Sequence, residues 1–167
     1  LTLVQFDDVY EQVFLYRKLE KVPMLDRERY VPRGATALLD AIGRTIISVK
    51  KRQKELLKED VKLKVLFVII TDGYENASTE FTKKDILKKI RKSESEHNWE
   101  FIYLGANQDA IHEAEKLGIS YNRSLTYNAD RSGTKFMFSS LSKCLTLCLL
   151  DDSNEFTFTE DERDKQK

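Results

Sequence analysis

Residues 65–70 read Val-Leu-Phe-Val-Ile-Ile and stop abruptly at Thr71-Asp72-Gly73. An apolar run without alternation has no solvent face, so as a strand it must be covered on both sides. That is the pattern of a parallel strand flanked by helices. A chain containing it is committed to a layered α/β architecture, provided it also supplies the covering helices.

It does. Leu39, Ile42, Ile46, Val49, Gln53 and Leu56 recur at three- and four-residue steps, which predicts an amphipathic helix over about 36–58. Thr82-Lys83-Lys84-Asp85 has the form of a capping box and opens a helix carrying Ile86, Leu87 and Ile90. Residues 99–104 form the next strand, stopped by Gly105. Asn107 is the expected cap of a helix with Ile111, Ala114 and Leu117, and Gly118 suits its C′ position. A short strand over 124–127 precedes a last helix with Met137, Leu141, Cys144, Leu145 and Cys148 on one stripe. Before all of these, residues 1–6 and 10–19 read as a β-hairpin around Asp7-Asp8. The expected class is therefore α/β: an open, mostly parallel, doubly wound sheet with an antiparallel edge hairpin strand. It occupies one domain over 1–150, and the charged stretch 151–167 reads as a flexible tail.

Composition narrows the function classes. Lys plus Arg and Asp plus Glu both number 28, so no net charge draws the chain to nucleic acid or a membrane surface. No apolar run approaches the roughly 18 residues of a membrane span. Two cysteines, Cys144 and Cys148, are too few for a disulfide framework, and a cytoplasmic setting is expected. The chain opens on Leu1-Thr2-Leu3-Val4, already strand-like and without an initiator Met, and reads as cut at its start.

In open α/β sheets ligands bind beyond the carboxyl ends of the strands. Two segments belong there: Pro32-Arg33-Gly34-Ala35-Thr36-Ala37-Leu38-Leu39-Asp40, and Thr71-Asp72-Gly73-Tyr74-Glu75-Asn76-Ala77-Ser78. The Thr36 hydroxyl and the Asp72 carboxylate are hard oxygen donors suited to magnesium or a similar ion.

These segments, with Trp99-Glu100-Phe101-Ile102-Tyr103-Leu104-Gly105-Ala106-Asn107 following in order, resemble the von Willebrand factor type A family, in its bacterial and phage branch. The resemblance runs from Leu1 to about Tyr127, and more loosely through the last helix. It implies a non-enzymatic protein-interaction module. Such a module holds Mg2+ or Mn2+ in a site built from three loops, and a partner's Asp or Glu side chain completes the metal shell. Thr36 matches the second loop and Asp72 the third. The first loop, Asp-x-Ser-x-Ser, does not occur in the sequence. By the same resemblance a first strand is missing, and its place is central, between the strands at 1–6 and 65–70. Metal binding by this chain is then expected to be weak or absent, and self-association through the unpaired central strand edges is expected.

The plainer readings stand beside these. Thr36 serves as a helix N-cap, and Asp72 as a turn-former before Gly73. Asp7 and Asp8 are hairpin-turn residues. Glu75, Asn76 and Ser78 shape their loop, contact a partner or are simply solvated. His97 and His112 lack metal-ligand spacing and read as surface residues. Cys144, Cys148 and Trp99 read as packing. The basic stretches at 50–54 and 83–92 are interrupted by acids and carry no interleaved aromatic platform, so nucleic acid is not an expected partner. The alternative function is a metal-dependent phosphoryl-transfer or hydrolytic enzyme of doubly wound topology, with Asp72 at a strand end. It lacks further carboxylates at neighbouring strand ends, and no phosphate-binding glycine loop or nucleophile elbow is present.

Overall fold

The computed structural model describes residues 1–26, 28–30, 34–107, 109–150 and 157–165. It shows a mixed α/β fold whose described strands form two sheets. The hairpin β1 (Leu3–Phe6) and β2 (Tyr10–Phe14) is one, antiparallel. The other is parallel, with β3 (Leu66–Thr71), β4 (Glu100–Ala106) and β5 (Ser124–Tyr127) in the order β3-β4-β5. The helices are α1 (Leu38–Lys58), α2 (Lys83–His97), α3 (Ala110–Lys116), α4 (Arg131–Leu150) and α5 (Glu160–Asp164). The chain divides into two compact units. The first comprises Leu1–Leu63 and Tyr74–Ile86, the second Lys64–Gly73 and Leu87–Lys167.

In the first unit the hairpin meets α1 through polar groups. The Tyr10 hydroxyl and Thr45 Oγ1 lie 3.0 Å apart, and the Tyr16 hydroxyl donates to the Ser48 carbonyl at 3.1 Å. The apolar stripe of α1 lies where its period puts it, with Leu39, Ile42, Ile46 and Val49 buried. Gly43 sits on the same helix because a Cβ there would come within 2.6 Å of the Phe81 ring. Residues 83–86 open α2 behind a reciprocal capping box. Asp85 N–H donates to Thr82 Oγ1 at 3.2 Å, and Thr82 N–H donates to Asp85 Oδ2 at 3.0 Å.

In the second unit β4 is the central strand and every one of its seven residues is buried. On one face Ile102, Leu104, Leu125 and Tyr127 pack against Met137, Leu141, Cys144 and Cys148 of α4. Leu145, expected on that stripe, is 37% exposed. The helical angle carries it to the rim while residues 141, 144 and 148 stay inward. Phe101 alternates to the opposite face, its ring 5.2 Å from that of Phe67. The most apolar strand is not the best buried. Ile69 and Thr71 are buried, but Leu66, Phe67 and Val68 are half-buried and Ile70 is exposed, because β3 pairs with β4 alone among the described residues.

The residue that caps α3 differs from expectation. The side chain that caps α3 belongs to Asp109, whose Oδ1 accepts from His112 N–H at 3.0 Å. Asn107 instead takes a left-handed conformation, φ 49°, and its Oδ1 accepts from Ala129 N–H. Helix α3 ends as its glycine implies. Gly118, at φ +86°, and Ile119 return hydrogen bonds to the carbonyls of Glu115 and Ala114.

Of the stretch expected to be a flexible tail, 151–156 and 166–167 lie outside the described residues; 157–165 is docked. Phe158 is buried in the α4 cluster and Thr159 forms a capping box with Glu162. Arg163 donates to the carbonyls of Ser124 and Tyr121, both at 2.7 Å, with its guanidinium 3.9 Å from the Tyr121 ring centroid. Arg163→Met is expected to cost about 2 kcal/mol, since it removes charge-assisted bonds to two carbonyls. A denaturant midpoint identical to that of the parent chain would show that the docked segment adds nothing.

Candidate functional site

The candidate residues fall in the two units, and each is described where it stands. Within the first, Gly34 to Asp40 leads into α1; Pro32 and Arg33 lie outside the described residues. Thr36 is half-buried and its backbone is fixed from both sides. Thr36 N–H donates to Asn76 Oδ1 at 2.9 Å, and Asn76 N–H donates to the Thr36 carbonyl at 3.0 Å. Thr36 is not the N-cap of α1. That position is Ala37, which supplies no side-chain bond. Its hydroxyl makes no hydrogen bond among the described residues.

The amides at the start of α1 are capped from a distance. Glu75 Oε2 accepts from Leu39 N–H at 2.9 Å, and Ser78 Oγ accepts from Asp40 N–H at 3.1 Å. Glu75 Oε1 also accepts from the amides of Ala77 and Ser78, so one carboxylate ties its own loop to the helix. Asp40, which sequence reasoning placed in the segment without giving it a role, reciprocates. Its buried carboxylate accepts from the amides of Thr79, Glu80 and Phe81 at 2.8–3.2 Å. Arg44 forks onto Glu80 one helical turn further on.

Burial pushes the Asp40 carboxyl up, but the three amides and Arg44 more than reverse it, leaving it below the ordinary carboxylate value of 3.8. For Glu75 burial likewise opposes, and its hydrogen bonds to Leu39, Ser78 and Ala77 bring the carboxyl below 4.5. Both groups are thus anions held by backbone dipoles, and their oxygens are committed. Of the three loop residues read as shaping, contacting or solvated, Glu75 and Ser78 shape the loop, and Asn76 does so while remaining exposed.

The hairpin carboxylates differ from each other. Asp7 is buried and its Oδ1 accepts from Val9 N–H at 2.6 Å, the expected turn role, while Asp8 is exposed. Asp7, Asp8, Tyr10, Asp40 and Arg44 line a small polar cleft.

In the second unit Asp72 follows β3 directly, at its carboxyl end. The residue is exposed, and its carboxylate makes no hydrogen bond or ion pair among the described residues. Thr71 before it is buried, with Oγ1 donating to the Gly73 carbonyl at 2.9 Å, which turns the chain sharply away from the strand. At the neighbouring strand end Asn107 N–H donates to the Tyr127 carbonyl, so its amides hold β4 and β5 together.

Thr36 and Asp72 are hard oxygen donors in type, but two donors do not fill the shell of a six-coordinate ion. No cluster of three His, Cys, Asp or Glu residues arranged for a metal occurs among the described residues. His112 is exposed, and His97 lies 6.3 Å from the buried Trp99 ring. No helix among the described residues is long and apolar enough to cross a membrane. No protein-family model, no curated protein and no solved structure matches the chain.

Proposed function

We propose that the chain is a non-enzymatic protein-interaction module of the von Willebrand factor type A kind, working in the cytoplasm, with Asp72 as an oxygen ligand of a divalent ion. One observation carries this reading: Asp72 is exposed at the carboxyl end of a parallel strand and its carboxylate is uncommitted among the described residues. The contrast with Asp40 and Glu75, whose oxygens are consumed by backbone amides, supports a division of labour between structural and ligand-binding carboxylates. Thr36, which belongs to the first unit, is the second ligand that the resemblance implies. When bound, Mg2+ or Mn2+ would supply a Lewis-acid position that an Asp or Glu of a protein partner can occupy. So few protein oxygens leave most of the shell to water, and this chain should therefore hold the ion weakly.

Water-proton relaxation in the presence of Mn2+ detects such weak binding. Enhancement at millimolar metal, lost in Asp72→Ala and reduced in Thr36→Ala, is the expected result. Equal enhancement in all three chains would overturn the assignment. Magnesium-dependent turnover of a generic phosphate ester, abolished by Asp72→Ala, would overturn the non-enzymatic reading in favour of a hydrolase.

A further inference from the structure

Residues 157–165 meet the rest of the second unit as a bound peptide meets its receptor. Phe158, Glu162 and Arg163 are buried, while Thr157, Thr159, Glu160, Asp161, Asp164 and Lys165 are exposed. Recognition thus falls to three side chains, an aromatic and an arginine among them, and these are residue types that anchor protein interfaces. The segment also supplies its own local structure. Thr159 and Glu162 close a capping box on α5, and Lys165 N–H returns to the Asp161 carbonyl at 3.3 Å.

The groove it fills is shaped by other residues. Strand β5 pairs with β4 from Tyr103 and Ser124 to Ala106 and Tyr127. At the head of β5 the 3-10 turn Tyr121–Arg123 is tied by Ser124 Oγ, which donates to the Tyr121 carbonyl at 3.0 Å, and by Arg123 N–H, which donates to the Ser120 carbonyl at 3.0 Å. The carbonyls of Tyr121, Asn122 and Ser124 then accept from the segment. Phe158 N–H reaches Asn122 at 2.9 Å, and the Arg163 guanidinium reaches Tyr121 and Ser124, both at 2.7 Å, while lying over the Tyr121 ring. The Tyr121 hydroxyl donates to Glu160 Oε1 at 2.8 Å, Lys143 Nζ of α4 stands 3.5 Å from Glu162 Oε1, and Phe158 enters the apolar cluster with Met137 and Cys144. The bonds that shape this groove lie within residues 103–127, and those that fill it come from 158–163.

We infer that segment 157–165 is a self-ligand. It occupies in cis a groove, between the head of β5 and α4, that takes a peptide segment of a protein partner with the same pattern: phenylalanine, followed four and five residues on by glutamate and arginine in a capped helical turn. The groove selects that chemistry. Three carbonyls and an aromatic face receive a guanidinium and an N–H, an ammonium stands by the glutamate, and an apolar slot receives the phenylalanine. A second copy of this chain is the weaker occupant, because it brings one segment and one groove already joined and gains no bond by exchanging them. A partner brings a surplus segment. The chain's own segment then sets a threshold, since the partner's apparent affinity is its intrinsic affinity reduced by the fraction of grooves standing open. The inference is independent of Asp72 and of metal binding.

The test uses the full chain, in chelator so that no metal takes part, and a fluorescein-labelled synthetic peptide of residues 157–165. By fluorescence anisotropy, the double variant Phe158→Ala/Arg163→Ala, whose own segment is weakened, should bind this peptide at least tenfold more tightly than the parent chain does. The peptide carrying Phe158→Ala should bind the same variant at least tenfold more weakly. Hydrogen exchange of the unaltered parent chain asks the question without a variant. The amides of Phe158, Glu162 and Arg163 should exchange at least tenfold faster than the hydrogen-bonded amides of β4, and faster still with excess unlabelled peptide, which holds the groove while the chain's own segment is out. Equal binding to parent and variant, or none to either, would overturn the inference. So would segment amides that exchange only together with those of β4, the mark of a structural part of the core, or self-association of the parent chain that the free peptide dissolves, which would assign the groove to a second copy.

Discussion

Leu141→Asp should lower the unfolding free energy by about 4 kcal/mol, the largest single-residue effect expected outside the strands themselves. Leu141 is 8% exposed and lies in the cluster that joins α4 to Ile102, Leu104 and Leu125. A carboxylate there finds no cation within that cluster, so it must stay buried and unpaired, take up a proton, or pull the helix off the sheet. Leu145→Asp, one turn along the same helix but exposed, is the control and should stay within about 0.5 kcal/mol of the parent. Urea midpoints of the two variants decide the matter. Equal midpoints would mean that α4 contributes nothing to the cooperative unit, and that the buried stripe is an accident of contact.

Asp40→Ala is expected to cost about 3 kcal/mol and to do so by a different route. The substitution leaves the amides of Thr79, Glu80 and Phe81 without their acceptor and releases the 74–82 segment from the start of α1. Asp40→Asn keeps one acceptor oxygen and should cost less. The same clasp makes the segment acid-sensitive. Asp40 and Glu75 both have folded-state carboxyls below their ordinary values of 3.8 and 4.5, so the stabilisation they give is full above those values. It is lost as pH falls below them, through the lower folded values. Arg44 and Glu80 beside Asp40, and Asp7, Asp8 and Tyr10 across the cleft, set the field in which this happens. Amide exchange of Thr79, Glu80 and Phe81 should therefore accelerate, beyond its intrinsic change, as pH falls below those ordinary values. It should be fast and without this added pH dependence in Asp40→Ala. Flat protection factors in the parent chain across that range would remove the clasp from the account.

How much of this could be read from sequence depends on the range of the interaction. The helix at 38–58, the capping box at Thr82 and Asp85 and the glycine end of α3 are local, and periodicity or spacing within a few residues reveals them. The clasp is not. Asp40 and Glu75 find their partners 36 to 41 residues away, and nothing in a helix-start sequence distinguishes an aspartate that binds three distant amides from one that is solvated. The docked terminus was hidden differently. Its charge resembles that of a solvated tail, yet Thr159-Glu160-Asp161-Glu162 carries a capping-box signature and Phe158 precedes it as an apolar anchor, so the signal was present and outweighed by composition. Asn107 and Asp109 are both competent caps two residues apart, and the choice between them fell to Ala129, whose N–H claims the Asn107 side chain. Of the candidate site, the position of Asp72 at a strand end follows from the apolar run alone. That its carboxylate is left uncommitted among the described residues while Asp40 and Glu75 are committed is a property of the fold.

The two thiols under α4 give the molecule a built-in clock. Cys144 and Cys148 are free and buried, and burial, reinforced by the nearby Glu162 carboxylate, pushes the Cys144 thiol up to about 11. At pH 8 only about one Cys144 in a thousand is thiolate even before access is considered. Alkylation of the folded chain must then wait for α4 to lift. The ratio of its rate to that of an exposed thiol is the equilibrium constant for that lifting. Because Phe158 packs on the same cluster, the terminus and the helix share this clock, and any ligand, partner or substitution that tightens either one would be timed by a single reagent in native buffer.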